Sequence, residues 1–253
     1  MAGGPFVDAW QSLDWAGGEA MALKAEIDDF RRGKPYSVEA ESYPDNAGGE
    51  ILFEILGRPD LVMWAKQVGA AIGYLRSALN YSAYQIALID CREKADRVEF
   101  PIFDDPSRFQ KDNRIKGFAQ HRFDLIESAQ PYHGQAEELW WLHELARLHR
   151  HRLIRPVIDR VDQTRHAYTV VGGNPDDISF YSGSFAARSD GKIVVGRWHN
   201  VRPTETHVNV QPNVAVEIVV NDPLVRHEPL PALLFKMCNA THKVITALGK
   251  TLT

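Results

Sequence analysis

Cysteine is scarce. Cys91 and Cys238 are the only two in 253 residues, too few for the disulfide lattice of a secreted scaffold. Long apolar runs are missing as well, and no stretch approaches the ~20 residues of a membrane span. Met1 to Pro5 hold no charged side chain and lead into no apolar run, so no signal peptide is expected. Excess positive charge is also lacking. The 29 Lys and Arg fall short of the 33 Asp and Glu, for a net charge of −4. That excludes a polybasic chain whose whole surface would bind nucleic acid, but it leaves room for one local basic patch. Internal repeats, low-complexity tracts and a P-loop are absent. Gly172-Gly173-Asn174-Pro175 lies between strand-like runs and is no dinucleotide loop. Tyr181-Ser182-Gly183-Ser184 departs from the nucleophile elbow. What is left is a soluble, cytoplasmic, mixed globular protein with no membrane partner and no cofactor implied. Its length fits one large domain or two small ones.

Periodicity supplies the elements. Trp10, Leu13, Ala20, Leu23, Ile27 and Phe30 predict a first helix over 6–30, weakened by Gly17-Gly18 and stopped by Gly33-Lys34-Pro35. Two strand-like runs, 36–41 and 50–56, flank a turn-rich stretch and predict a hairpin. Pro59 and Asp60 open a long central helix that carries Trp64, Val68, Ile72, Leu75, Leu79, Ala83 and Ile86 to Asp90. Residues 100–103 are extended because of Pro101, and 104–114 are a polar loop. Further helices are predicted over 115–130 and 135–153. In the second of these, Leu139, Leu142, Leu145, Leu148, His149 and Arg152 are the inward candidates. After Pro156 the period becomes two, with strands over 166–171, 178–187, 192–199, 206–210 and 214–220. Ser189-Asp190-Gly191 marks a hairpin turn. A last helix covers 229–248. The expected fold class is α+β. Residues 1–160 form a helical bundle core with the small N-terminal hairpin. Residues 161–253 form an antiparallel sheet of about five strands and a C-terminal helix that packs back on the bundle.

Two segments could carry chemistry. In Leu75-Arg76-Ser77-Ala78-Leu79-Asn80-Tyr81, Arg76 and Asn80 stand four apart on one helix face. Arg76 there is either an anion or phosphate binder or the partner of a buried carboxylate, in a salt bridge or hydrogen-bond network between helices. In Leu142-His143-Glu144-Leu145-Ala146-Arg147-Leu148-His149-Arg150-His151-Arg152, three histidines and three arginines fall within eleven residues. Over 147–165, six arginines face two aspartates, a local charge of +4 that leaves −8 on the remainder. Such a strip attracts phosphate. A histidine beside it can move a proton near neutral pH, and an arginine can hold the charge developing on phosphorus. Arg76, Arg147, Arg150 and Arg152 would hold phosphate, His151 would act as acid and base, and Asn80 would orient it. A metal reading uses Glu137 or Glu138 with His143, His149 and His151. However, His143-Glu144 is not followed by the second histidine of H-E-x-x-H, because residue 147 is Arg. Cys91, near Arg92 and Lys94, is read as a packing residue. Trp140-Trp141 is read as one core ring and one rim ring.

The same segments carry a resemblance. The ordered set 75–81, Phe100-Pro101-Ile102-Phe103, Gln130-Pro131-Tyr132, Leu142-His143-Glu144-Leu145 and His149-Arg150-His151-Arg152 resembles a family of uncharacterised bacterial proteins. Its members carry an L-R-S-A-L-D-H helix, an F-P-I segment, a Q-P-Y turn and a D-K-H-R helix end. The resemblance covers about residues 10–155, and its helix is in turn similar to the R-x4-6-H motif of HEPN-type helical domains. Those include metal-independent ribonucleases as well as catalytically dead members, and they often pair as homodimers. In this sequence Asn80, Tyr81 and His149 replace the Asp, His and Asp of the patterns. The resemblance implies an RNA- or nucleotide-phosphate-binding protein with metal-independent ribonuclease chemistry. The other expectations are a non-enzymatic module for a protein or small ligand, with a structural Arg/His network, and a helical metal-dependent enzyme built on Glu138, His143 and His149.

Overall fold

The computed structural model describes residues 6–134, 136–162, 167–171, 174–182, 187–202, 207–211 and 215–252. The fold is α+β. The chain divides into two compact units, each assembled from separated segments. The first comprises Met1–Glu26, Asp60–Val157 and Val219–Thr253, and the second Ile27–Pro59 and Ile158–Ile218. Among the described residues, no helix is long and apolar enough to cross a membrane.

The first unit is helical. Helix α1 spans Val7–Arg32 without a break at Gly17-Gly18, and its first twenty residues belong here. Helix α2, Leu61–Asp90, is the central element. It starts where Asp60 Oδ1 accepts the Met63 N–H at 2.9 Å, a cap worth about 1 kcal/mol. Val68, Ile72, Leu75, Leu79, Ala83 and Ile86 are fully buried along it. Helices α5, Glu137–His149, and α6, Leu230–Gly249, both pack on α2. Gly69 of α2 is required by this packing, because a Cβ there would lie 2.1 Å from His149 Cε1. Helix α6 does pack back on the helices, burying Leu230, Leu233, Leu234, Met237, Ile245 and Leu248.

Several boundaries move from the sequence expectation. The polar stretch 104–114 holds a short helix α3, Pro106–Lys111, because Asp105 caps Ser107 N–H at 2.7 Å and Pro106 suits the first turn. The helix expected over 115–130 contracts to α4, Gln120–Ser128. Arg122 of α4 is buried against Asp90 at the end of α2 and also reaches the Thr251 carbonyl at 3.0 Å. Helix α5 ends at His149, and Arg152, expected inward, is exposed beyond it. Trp141 is 3 % exposed while Trp140 is half-buried, as expected of the pair.

The second unit is built of strands. Strands β1, Tyr36–Ser42, and β2, Gly48–Ile55, form the hairpin. The hairpin does not stay with the helices. Strand β2 pairs antiparallel with β6, Ile193–Asn200, and β6 with β5, Ile178–Ser182, in the order β1-β2-β6-β5. The reason lies in Gly48-Gly49. A Cβ on Gly48 would stand 2.3 Å from the Trp198 carbonyl oxygen, and one on Gly49 2.1 Å from its indole. Only glycine lets the buried Trp198 sit against this strand. The expected division at residue 160 therefore does not match the units found. Strand β4, Ala167–Val171, pairs antiparallel with β7, His207–Gln211. Strand β3, Pro156–Asp162, for which the sequence showed only a change of period, pairs with β8, Ala215–Val220.

Candidate functional site

Arg76 and Asn80 meet the same residue. Arg76 Nη2 donates to the Phe100 carbonyl at 2.6 Å, and Asn80 Oδ1 accepts the Phe100 N–H at 3.1 Å. Gln130 completes the grip. Its Oε1 accepts the Phe103 N–H at 2.9 Å, and its Nε2 donates to the Pro101 and Ile126 carbonyls at 3.0 and 2.8 Å. Residues 100–103 belong to no helix or strand, so side chains must satisfy their buried backbone. Three polar side chains thus clasp one buried segment. Arg76 is 9 % exposed, and its Nη1 is buried without a hydrogen-bond partner among the described residues. Burial pushes its pKa down to about 10, partly offset by Glu99, so it stays charged at neutral pH. Tyr81 is exposed.

The histidines of α5 separate. His143 stacks on Trp140, with ring centroids 5.5 Å apart. Burial, and next the Arg76 charge, pull its pKa down to about 4, so the ring is neutral at pH 7. His149 lies against Gly69, and its Nδ1 is buried with no hydrogen-bond partner among the described residues. His151 is exposed in the turn after α5, where its N–H donates to the Leu148 carbonyl at 3.0 Å. The imidazole that feels Arg76 is therefore His143. Glu137 is exposed, and Glu138 lines a hollow with Leu139, Lys236 and Lys243. No three His, Cys, Asp or Glu gather in a metal-binding group among the described residues. The set Glu138, His143 and His149 accordingly forms no ligand sphere.

The cations beyond α5 are differently placed. Arg147 pairs with Glu144 at 2.6 Å. Arg150 is exposed and makes no ion pair among the described residues. Arg152 is two-thirds exposed and stands 3.9 Å from Asp222 Oδ2. Arg152 and Arg155 line a hollow of about 370 Å³ with Leu148, Ile154, Asn221 and Asp222. Its wall is fixed by the Asn221 N–H, which donates to the Arg155 carbonyl at 3.0 Å. Asp222 is held in turn, since its Oδ1 accepts the Leu224 N–H at 3.1 Å. Arg155 carries no ion pair among the described residues. The structure thus places Arg76 and Asn80 on one backbone segment and Arg152 in a separate hollow. The Arg160 side chain and Arg165 lie outside the described residues. Arg155 belongs to the basic strip of 147–165, whereas Asn221 and Asp222 had no functional signal in the sequence beyond their position at the end of the strand region. No protein family, curated protein or solved structure matches this chain.

Proposed function

We propose that the chain binds a phosphate-bearing ligand, RNA or a nucleotide, at the end of α5. The observation that carries this reading is the 370 Å³ hollow in which Arg152 and Arg155 face a single carboxylate, Asp222. Its volume lies within the usual range of ligand pockets. Leu148 and the exposed Leu153 give it apolar surface for a sugar or base. Guanidinium forks match phosphate oxygens in pairs, and Arg150 and Arg147 extend the positive face for a longer backbone. Arg76 and Asn80 support the site only by fixing the segment packed beside α2. Calorimetric titration with a nucleoside monophosphate, and anisotropy of a labelled single-stranded RNA, test the reading. Binding should weaken as salt rises. It should drop roughly tenfold or more in Arg152→Ala combined with Arg155→Ala, the scale of one charge-assisted contact. Unchanged affinity in that double variant would remove the proposal.

The ribonuclease form of this reading assigns proton transfer to His151, which sits between Arg150 and Arg152 in the chain. It would accept the 2′-hydroxyl proton while the arginines hold the phosphate. Total RNA incubated with wild type and with His151→Ala decides the matter. Degradation lost in the variant supports cleavage, and equal RNA integrity in both removes cleavage but leaves binding. The non-enzymatic reading is favoured by one specific observation: Arg76, Asn80 and Gln130 are already committed to residues 100–103.

A further inference from the structure

Helices α1 and α2 carry a second hollow that shares no residue with the first. Asp14, Trp15, Gly18, Glu19, Ala22 and Tyr74 line about 370 Å³ of surface space. The Trp15 and Tyr74 rings stand 5.5 Å apart at 54°, and Trp15 is 53 % exposed. The exposed Trp15 ring and the half-buried Tyr74 ring thus stand side by side at the hollow. Asp14 and Glu19 make no hydrogen bond or ion pair among the described residues.

The glycines point the same way. Gly17 and Gly18 in α1 and Gly73 in α2 each have nothing within 4 Å of where a Cβ would be. None has a positive φ. Each is destabilising relative to alanine in a helix interior. Neither packing nor backbone geometry calls for them. Gly18 and Ala22 lie three and seven residues after Trp15 and line the same hollow, so their small size leaves it open.

We infer that this hollow is a binding site for a small organic cation, an ammonium or guanidinium head group. The ring faces supply negative quadrupole potential, strongest at Trp, and the two carboxylates supply charge without competing partners. An anion would meet two like charges, and a neutral apolar group would leave both carboxylates unused.

The test follows the Trp15 indole N–H by NMR during titration with choline and, separately, with N-acetyl-argininamide, at constant ionic strength. A saturable shift with either compound is expected, and the one that binds identifies the head group. The neutral choline isostere 3,3-dimethylbutanol should not saturate. Asp14→Asn combined with Glu19→Gln should weaken binding about fivefold, the order of one exposed ion pair. Gly18→Leu should abolish it, while Gly18→Ala keeps the fold and raises the melting temperature. No saturable shift with either cation, or equal binding of the neutral isostere, overturns the inference.

Discussion

Arg76 and Arg152 bring the same guanidinium into opposite surroundings. Arg76 is buried on α2 and spends a donor on the Phe100 carbonyl. Arg122 is buried likewise, between Asp90 and Thr251. Arg152 lies mostly in solvent, 3.9 Å from its nearest carboxylate, at the rim of a hollow. The contrast shows that an arginine-rich segment says little about function until its donors are counted. Buried arginines that donate to the chain itself, as Arg76 Nη2 does to Phe100 and Arg122 to Asp90 and Thr251, hold it together. Exposed arginines with donors to spare are the ones able to meet a ligand.

The largest expected effect tests the interior half of this contrast. Asp90→Ala strands the buried Arg122 charge and should cost about 3–5 kcal/mol in urea denaturation. Phosphate affinity at the α5 end should remain at the wild-type value in whatever fraction stays folded. Next comes a direct exchange of roles. Arg76→Met removes the bond to the Phe100 carbonyl and should cost about 2 kcal/mol, with little change in ligand affinity. Arg152→Ala should change stability by no more than about 0.5 kcal/mol and weaken phosphate binding instead. Equal stability losses in the two variants would break the comparison.

The sequence made the elements more legible than their partners. The long central helix was readable because Pro59, Asp60 and a sustained apolar stripe act locally, and α2 starts and ends where they indicate. The fold class followed from the change of period after Pro156. The hairpin's partner was not readable. Pairing of β2 with β6 joins residues some 145 apart, and the fit of Gly48-Gly49 around Trp198 appears only in three dimensions. The short helix α3 was hidden in a polar stretch, although Asp105-Pro106 is a cap signal. At the site, the sequence singled out Arg76 and Asn80 but could not show that both answer to Phe100. It also grouped His143, His149 and His151 by proximity along the chain. A helix turns about 100° per residue, so neighbours in sequence reach different surroundings: a Trp140 stack, the Gly69 notch and open solvent.

The smallest effect concerns His143 and tests whether its ring answers to the buried Arg76 rather than to the exposed Arg152. Its folded pKa is about 4, below the ordinary 6.5. Between these values the unfolded chain takes up a proton that the folded chain refuses, so stability falls as pH drops from 6.5 towards 4. Above 6.5 both states leave the ring neutral and the contribution is flat. His143→Gln should remove this part of the acid limb and leave stability between pH 7 and 8 nearly unchanged, as read by urea midpoints across pH. Arg76 is the second cause of the depression after burial, so Arg76→Met should move the His143 NMR titration midpoint up from about 4 towards 6.5. Arg152 is not among the charges that act on this ring, so Arg152→Ala should leave the midpoint where it is. A midpoint that follows Arg152 rather than Arg76 would mean that the two ends of α5 share one electrostatic environment, and the buried and exposed arginines could no longer be assigned separate work.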